Sequence, residues 1–239
     1  MIIAVTNEST VATDAQLDLI ARACQYQLRY HLCPQWGLST PSVVAIPKGS
    51  MPPSTDVILH VKDTSDQPGA LGYHDDDTIV EAFAFAKTDQ QYGADLGVTI
   101  SHEIVELVVD RWCLAAMQNP NTGYFYALEV GDPVEADNDG YSVTIKDALG
   151  ATHSLRVSNF ILPAWYLSGS AGPYDHVHLL SKPWQVRPGG YVSIWKGQGQ
   201  WTQYQAKKTA DAALLAAQTD GSLVVVESKS PRQRVRGEL

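Results

Sequence analysis

Ten residues, Ser101 to Asp110 (SHEIVELVVD), constrain the fold of this chain more than any other stretch. On a helix turning about 100° per residue, His102, Glu103, Glu106 and Asp110 fall within one arc of roughly 100°. Ile104, Val105, Leu107, Val108, Val109 and Trp112 fill the rest of the circumference. A helix apolar over so much of its surface is mostly buried, and its polar stripe is narrow. A solvated face usually mixes signs, because like charges four residues apart destabilise a helix and opposite ones help. Here Glu106 and Asp110 are a like-charged pair one turn apart, with no lysine or arginine in the arc. Such a stripe calls for a cation, and His102, Glu103 and Glu106 are expected to face a bound metal ion.

The rest of the chain can support a buried helix. Its 239 residues are 44% hydrophobic, enough for one large domain, or a domain with an appendage, to fold without staples. The net charge of −9 argues against a nucleic-acid surface and fits a protein that gathers carboxylates. Cys24, Cys33 and Cys113 are scattered, with no CxxC pair, so they read as buried thiols rather than a disulfide framework or thiolate zinc site. The opening MIIAVTNEST lacks the basic run and apolar core of a signal peptide. No stretch approaches ~18 consecutive apolar residues, so no membrane span and no membrane partner are expected.

Along the chain, Ile2 to Val5 reads as a strand, and Thr13 with Gln16 as a capping box for a helix to about His31. Pro34 to Pro41 reads as a loop, and the β-branched runs Val43–Ile46 and Val57–Val61 as strands. Gln67 to Asp77 is turn-rich and expected to be a loop, and Thr78 to Ala86 alternates as a strand. The motif helix is expected from about Asp95 to Met117. LEVGDPVE, Leu128 to Glu135, is irregular, and Asn138–Gly140 is expected to turn a hairpin between Val134 and Tyr141–Ile145, with a strand at Ser154–Val157. Gly189, Gly190 and Tyr191 lead into another strand; Gln203–Gln218 is alanine-rich and helix-prone, and Leu223–Val226 is the last strand.

SHEIVE resembles the HExxH helix of zinc metallopeptidases, with glutamate in place of the second histidine. The resemblance implies that His102 and Glu106 are zinc ligands and Glu103 the general base that polarises the attacking water. In the gluzincin branch a further ligand is a glutamate some 20 to 30 residues downstream, followed by a supporting aspartate. Glu129 and Asp132 occupy such places, with 22 residues between Glu106 and Glu129. We favour Glu129 as third ligand, with Asp132 next and Glu135 as a further option. One histidine with two carboxylates makes a harder, more negative site than two histidines with one, so another divalent metal is an alternative to Zn²⁺. SHEIVE, LEVGDPVE and FILPAWY together are similar to a set of uncharacterised zincin-like proteins, many from bacteriophages and prophages. The resemblance covers roughly residues 70 to 195 and implies that the Thr78–Ala86 strand is the substrate-binding edge strand.

The expected fold is therefore α+β: a zincin-like mixed sheet with an active-site helix, plus a β-rich C-terminal part. Residues 1–202 form the metal-binding domain, 203–228 a C-terminal helix and strand, and 229–239 a basic, disordered tail. The leading function is metal-dependent hydrolysis of a peptide or protein substrate. The rival is a virion component with a degenerate or structural metal site, docked on other virion proteins by Arg232, Arg234 and Arg236; an aromatic-rich last third (Trp184, Tyr191, Trp195, Trp201) suits that role. With no signal peptide or membrane span read in the sequence, the expected location is cytoplasmic or virion-associated. An open cleft at His102 favours the enzyme, and a site closed by the chain's own side chains favours the scaffold.

Other groups carry less. His176 and His178 have strand-like alternation but read as exposed; Tyr166, Tyr174 and His176 are candidate proton donors. Asp75, Asp76 and Asp77, and Asp137 with Asp139, read as turns rather than calcium loops, and His74 as a residue near the cleft. No GxSxG elbow supports serine catalysis, and Gly189–Gly190 is a turn, not a phosphate loop.

Overall fold

The computed structural model describes residues 1–65, 71–75, 80–199, 201–206 and 223–225, with only the backbone at 72–75 and 223–225. Strand β1 (Ile2–Asn7) leads to helix α1 (Asp14–Gln27), whose N-cap Thr13 accepts a hydrogen bond from the Gln16 N–H at 3.1 Å. The helical path outruns its expected end at His31. A π turn (Leu28–Leu32) passes into α2 (Cys33–Trp36), where Pro34 sits in the first turn and so removes no needed donor. Gly37, at φ 65°, then supplies the left-handed cap.

Strands β2 (Ser42–Ile46), β3 (Val57–Lys62), β4 (Gly72–Asp75) and β5 (Val80–Phe85) complete a sheet of order β2-β1-β3-β5-β4. All are parallel except β4, which runs antiparallel to β5. Two expectations change here. The turn-rich segment before Thr78 contains a strand, and the edge of the sheet is that strand, β4, whereas the aromatic run β5 lies inside. Pairing with β5 supplies what local propensity did not.

From β5 the chain passes through α3 (Ala86–Tyr92) into α4 (Leu96–Val109), the motif helix. Asp95 caps its start by accepting from the Gly97 N–H at 2.8 Å. The helix stops eight residues before the expected Met117, because Asp110 leaves helical geometry (φ −134°, ψ 71°). Its carboxylate accepts from the N–H groups of Leu114 (3.2 Å) and Ala115 (2.9 Å), which turns the chain back.

A second sheet follows, formed by β6 (Ala116–Gln118), β7 (Phe125–Ala127) and three later strands. A separate hairpin, β8 (Tyr141–Lys146) with β9 (Thr152–Val157), precedes those three: β10 (Tyr191–Trp195), β11 (Thr202–Ala206) and β12 (Leu223–Val225). The second sheet is antiparallel, in the order β12-β11-β10-β7-β6. Asp137–Asp139 is a 3-10 turn, so the expected hairpin with Val134 is replaced by the pairing of β8 with β9. Gln203–Ala206 is strand rather than helix, and the expected boundary after residue 202 falls inside β11. The rest of the helix-prone run, 207–218, and the tail, 229–239, lie outside the described residues.

The chain is thus α+β, as expected. Val57, Leu59, Val61, Val80, Ala82 and Ala84 turn one face of the first sheet towards Leu17, Ile20 and Cys24 of α1 and Ile100, Ile104 and Leu107 of α4. The same buried cluster continues into Tyr126, Trp165, Trp184 and Ile194 of the C-terminal half, so both sheets share one core. The three cysteines are free and buried. Among the described residues no helix is long and apolar enough to cross a membrane.

His176 does not lie on a strand. It stacks between His31 of the π turn (centroids 4.5 Å apart) and Phe160 (5.0 Å), while His31 Nδ1 meets the Tyr141 hydroxyl of β8 at 2.8 Å. His178 sits at φ 64°. Burial, then the nearby His31, pulls His176 down to about 4 from an ordinary value of 6.5. Between those two values the unfolded chain binds a proton that the folded chain refuses, so stability declines as pH falls through that window. The expected outcome is that His176→Phe, which keeps the stacked ring, loses less melting temperature than wild type when both are scanned from pH 7 down to pH 4.5.

Candidate metal centre

α4 places His102 and Glu106 one turn apart, so that His102 Nε2 lies 3.5 Å from Glu106 Oε2. A third group approaches from the other sheet's connections: Asp132 Oδ1 is also 3.5 Å from His102 Nε2. One donor atom from each of the three lies within 4.8 Å of the others, and the group could hold a metal ion. It is closed to solvent, with relative exposures of 1% for His102, 4% for Glu106 and 2% for Asp132.

Asp132 arrives by a path that two glycines permit. After β7 the chain enters a 3-10 turn, Asp132–Val134, preceded by Gly131. A Cβ on Gly131 would stand 2.5 Å from His102 Nδ1, so only glycine lets the backbone lie against the imidazole. From that position the Gly131 N–H donates to Glu106 Oε1 at 3.1 Å, leaving Oε2 turned towards His102. On the far side, a Cβ on Gly190 would meet the Pro133 carbonyl oxygen at 2.6 Å, and the Arg187 N–H donates to that same oxygen at 2.8 Å. The Ile161 N–H holds Val130 O at 2.8 Å. The irregular stretch is therefore clamped from three sides.

The surroundings are strongly acidic. Glu103 (1% exposed), Glu129 (3%), Glu135 (5%) and Asp110 (7%) are buried as well. Burial, reinforced by the charges of Glu129, Asp132, Glu106 and Asp110, pushes the Tyr166 phenol well above its usual range. Burial, with Asp132, Glu135 and Glu106, does the same to Tyr191, whose hydroxyl hydrogen-bonds Asp132. Taking ionised carboxylates out of water costs several kcal/mol each unless a cation or donors compensate, which is the electrostatic case for an ion here.

Of the residues expected from sequence, His102, Glu106 and Asp132 come together. Glu129, the favoured third ligand, and Glu135 are buried nearby but lie outside the group of three. Asp110 accepts from the backbone N–H groups of the turn and lies outside the group of three. The Tyr166 hydroxyl donates to Ala127 O (3.2 Å) and that of Tyr174 to Ser170 O (2.6 Å). His176 belongs to the stack with His31. Asp139 is taken by Arg187, with two contacts of 3.0 Å, and Asp137 accepts from the Asp95 N–H at 3.1 Å, so both act as turn residues. The side chains of Asp75, Asp76, Asp77 and His74 lie outside the described residues. Tyr191 was missed; only its place at the start of a strand was legible.

An open groove of about 770 Å³ exists elsewhere, between α1, β2 and β8, with Arg22, Arg29, Val44 and Lys146 on its walls; none of the three centre residues lines it. Comparison with protein-family models, curated proteins and solved structures returns no match for this chain.

The close contact at Gly131 makes a direct expectation. Gly131→Ala should cost about 1–3 kcal/mol, the usual range for overpacking, because neither the imidazole nor the clamped turn can retreat freely. Urea unfolding at equilibrium measures it, and the same variant should bind metal more weakly.

Proposed function

We propose that this chain is a zincin-like metal-binding protein in which His102, Glu106 and Asp132 hold one zinc ion in a closed, structure-holding centre. The observation that carries the reading is burial: all three donors, and Glu103 beside them, are at most 4% exposed. The donor spacing supports an ion. At 3.5 Å the His102 contacts are too long for good hydrogen bonds. Donor atoms about 2.0–2.2 Å from a tetrahedral zinc stand roughly 3.4 Å apart. The zincin resemblance is supported by a mixed sheet leading into the motif helix and by a downstream carboxylate completing the group. Zinc in such a place would supply positive charge to a crowded acidic interior and would tie α4 to the turn that β10 backs.

The resemblance to phage-encoded chains supports a virion as the setting for such a scaffold, with Arg232, Arg234 and Arg236 as docking charges. A hydrolase is the second reading, favoured by one specific feature: Glu103 stands between two donors in the order that the peptidase motif requires. There Glu103 would be the base that takes a proton from water, and Leu128–Glu135 would have to move to admit a peptide.

Protein purified without chelator is expected to carry about one equivalent of zinc by elemental analysis, and His102→Ala to carry none. Stripping the metal with a strong chelator should lower the melting temperature, since an ion that binds only the folded state stabilises it. Wild type should leave a broad peptide library intact, and Glu103→Gln should retain both metal and stability. Peptide cleavage by wild type that drops about 10²–10⁴-fold in Glu103→Gln would replace the scaffold by the hydrolase. A wild type with no metal and no affinity for added zinc would remove the centre altogether.

A further inference from the structure

We infer that Tyr191 is the positioning residue of the metal centre, setting the orientation of Asp132 as a ligand through a hydrogen bond from its hydroxyl to the Asp132 carboxylate. The inference rests on the metal-centre reading above and deepens it.

The two carboxylates of the centre face the same physical problem. A carboxylate free to rotate offers its lone pairs in many directions, and holding it in one of them requires a donor on the carboxylate. Glu106 has that donor in the Gly131 N–H, which takes Oε1 while Oε2 faces His102. Asp132 has it in the phenol of Tyr191, while its Oδ1 stands 3.5 Å from His102 Nε2. The phenol is well suited to hold a position. Tyr191 is 2% exposed and opens β10, where it pairs with Gln205 of β11. Immediately before it, Gly190 O accepts from the Ala206 N–H and the Gly190 N–H donates to Arg187 O, both at 2.9 Å. The Asp132 turn packs against that same glycine. Ligand and orienting group are thus mounted on one rigid joint. Tyr166, the other buried phenol near the acidic cluster, donates its hydrogen bond to Ala127 O and is not equivalent.

Partners that orient metal ligands typically change affinity by about 10–100-fold when removed. Tyr191→Phe keeps the ring and removes only the donor. Zinc affinity, measured by competition with a chromophoric chelator, is expected to fall about 10–100-fold. The absorption bands of the Co²⁺-loaded protein should shift as well, a change in ligand geometry that weakened packing alone would not produce. Tyr166→Phe, the control, loses stability but keeps both wild-type affinity and the cobalt spectrum. Asp132→Asn provides the second arm: in that background Tyr191→Phe should alter zinc affinity by less than about twofold, because the two changes act through one group. Wild-type affinity and spectrum in Tyr191→Phe would overturn the role of Tyr191 and leave the centre standing. An equally large Tyr191→Phe effect in the Asp132→Asn background would also overturn it. A wild type that binds neither zinc nor cobalt would overturn both.

Discussion

Burying carboxylates beside one imidazole is the constraint from which the rest of the architecture follows. Charges removed from water must be met by donors or by a cation, and the chain meets them one at a time. Asp110 is answered by two backbone N–H groups at the end of α4, Glu106 by the N–H of Gly131, and Asp132 by the phenol of Tyr191. Each answer dictates local geometry. The helix must end where Asp110 turns out, residue 131 must lack a side chain, and β10 must begin beside the turn. An ion held by His102, Glu106 and Asp132 would complete the compensation that these donors begin.

The remaining elements hold α4 in place for that purpose. The parallel strands bury α4 and α1 against one face, and polar contacts fix the register between layers. The Ser158 N–H donates to Ser101 Oγ at 2.7 Å, one residue before His102, while Gln27 of α1 donates to Ser158 O at 2.7 Å. The hairpin β8–β9 is thereby tied to both helices at the point where the centre is built. Because the three donors come from the motif helix and from a turn backed by the second sheet, an ion there would bridge the two halves of the common core. That is the physical sense in which a closed centre would serve as a staple.

Much of this was legible in the sequence. Period and capping located β1, α1, β2, β3 and β5, and the apolar circumference of SHEIVELVVD required a buried helix with His102 and Glu106 on one side. These are local properties: a side chain's direction along a helix or strand follows from spacing, and Thr13 or Asp95 caps a helix wherever the helix sits. The single sign of the stripe likewise pointed to a place where a cation could sit, and His102 and Glu106 belong to the group that could hold one. The same reasoning fails at Asp110, which matches the stripe by angle but serves the turn beyond it, so the pattern alone overextends the helix.

What only the tertiary structure decided lies where distant segments meet. β4 exists because β5 pairs with it, although its own residues favour turns. Asp132 rather than Glu129 joins His102 and Glu106, because the path of an irregular segment is set by what it packs against: the imidazole on one side of Gly131 and Gly190 on the other side of Pro133. Tyr191 lies far along the chain from Asp132, and no spacing rule connects them. The sequence determined by itself that a buried helix would carry a histidine and carboxylates on one side, a set that could hold a metal ion. Which third carboxylate answered, which tyrosine held it and how completely water was excluded depended on contacts between residues remote in the chain, which no local pattern encodes.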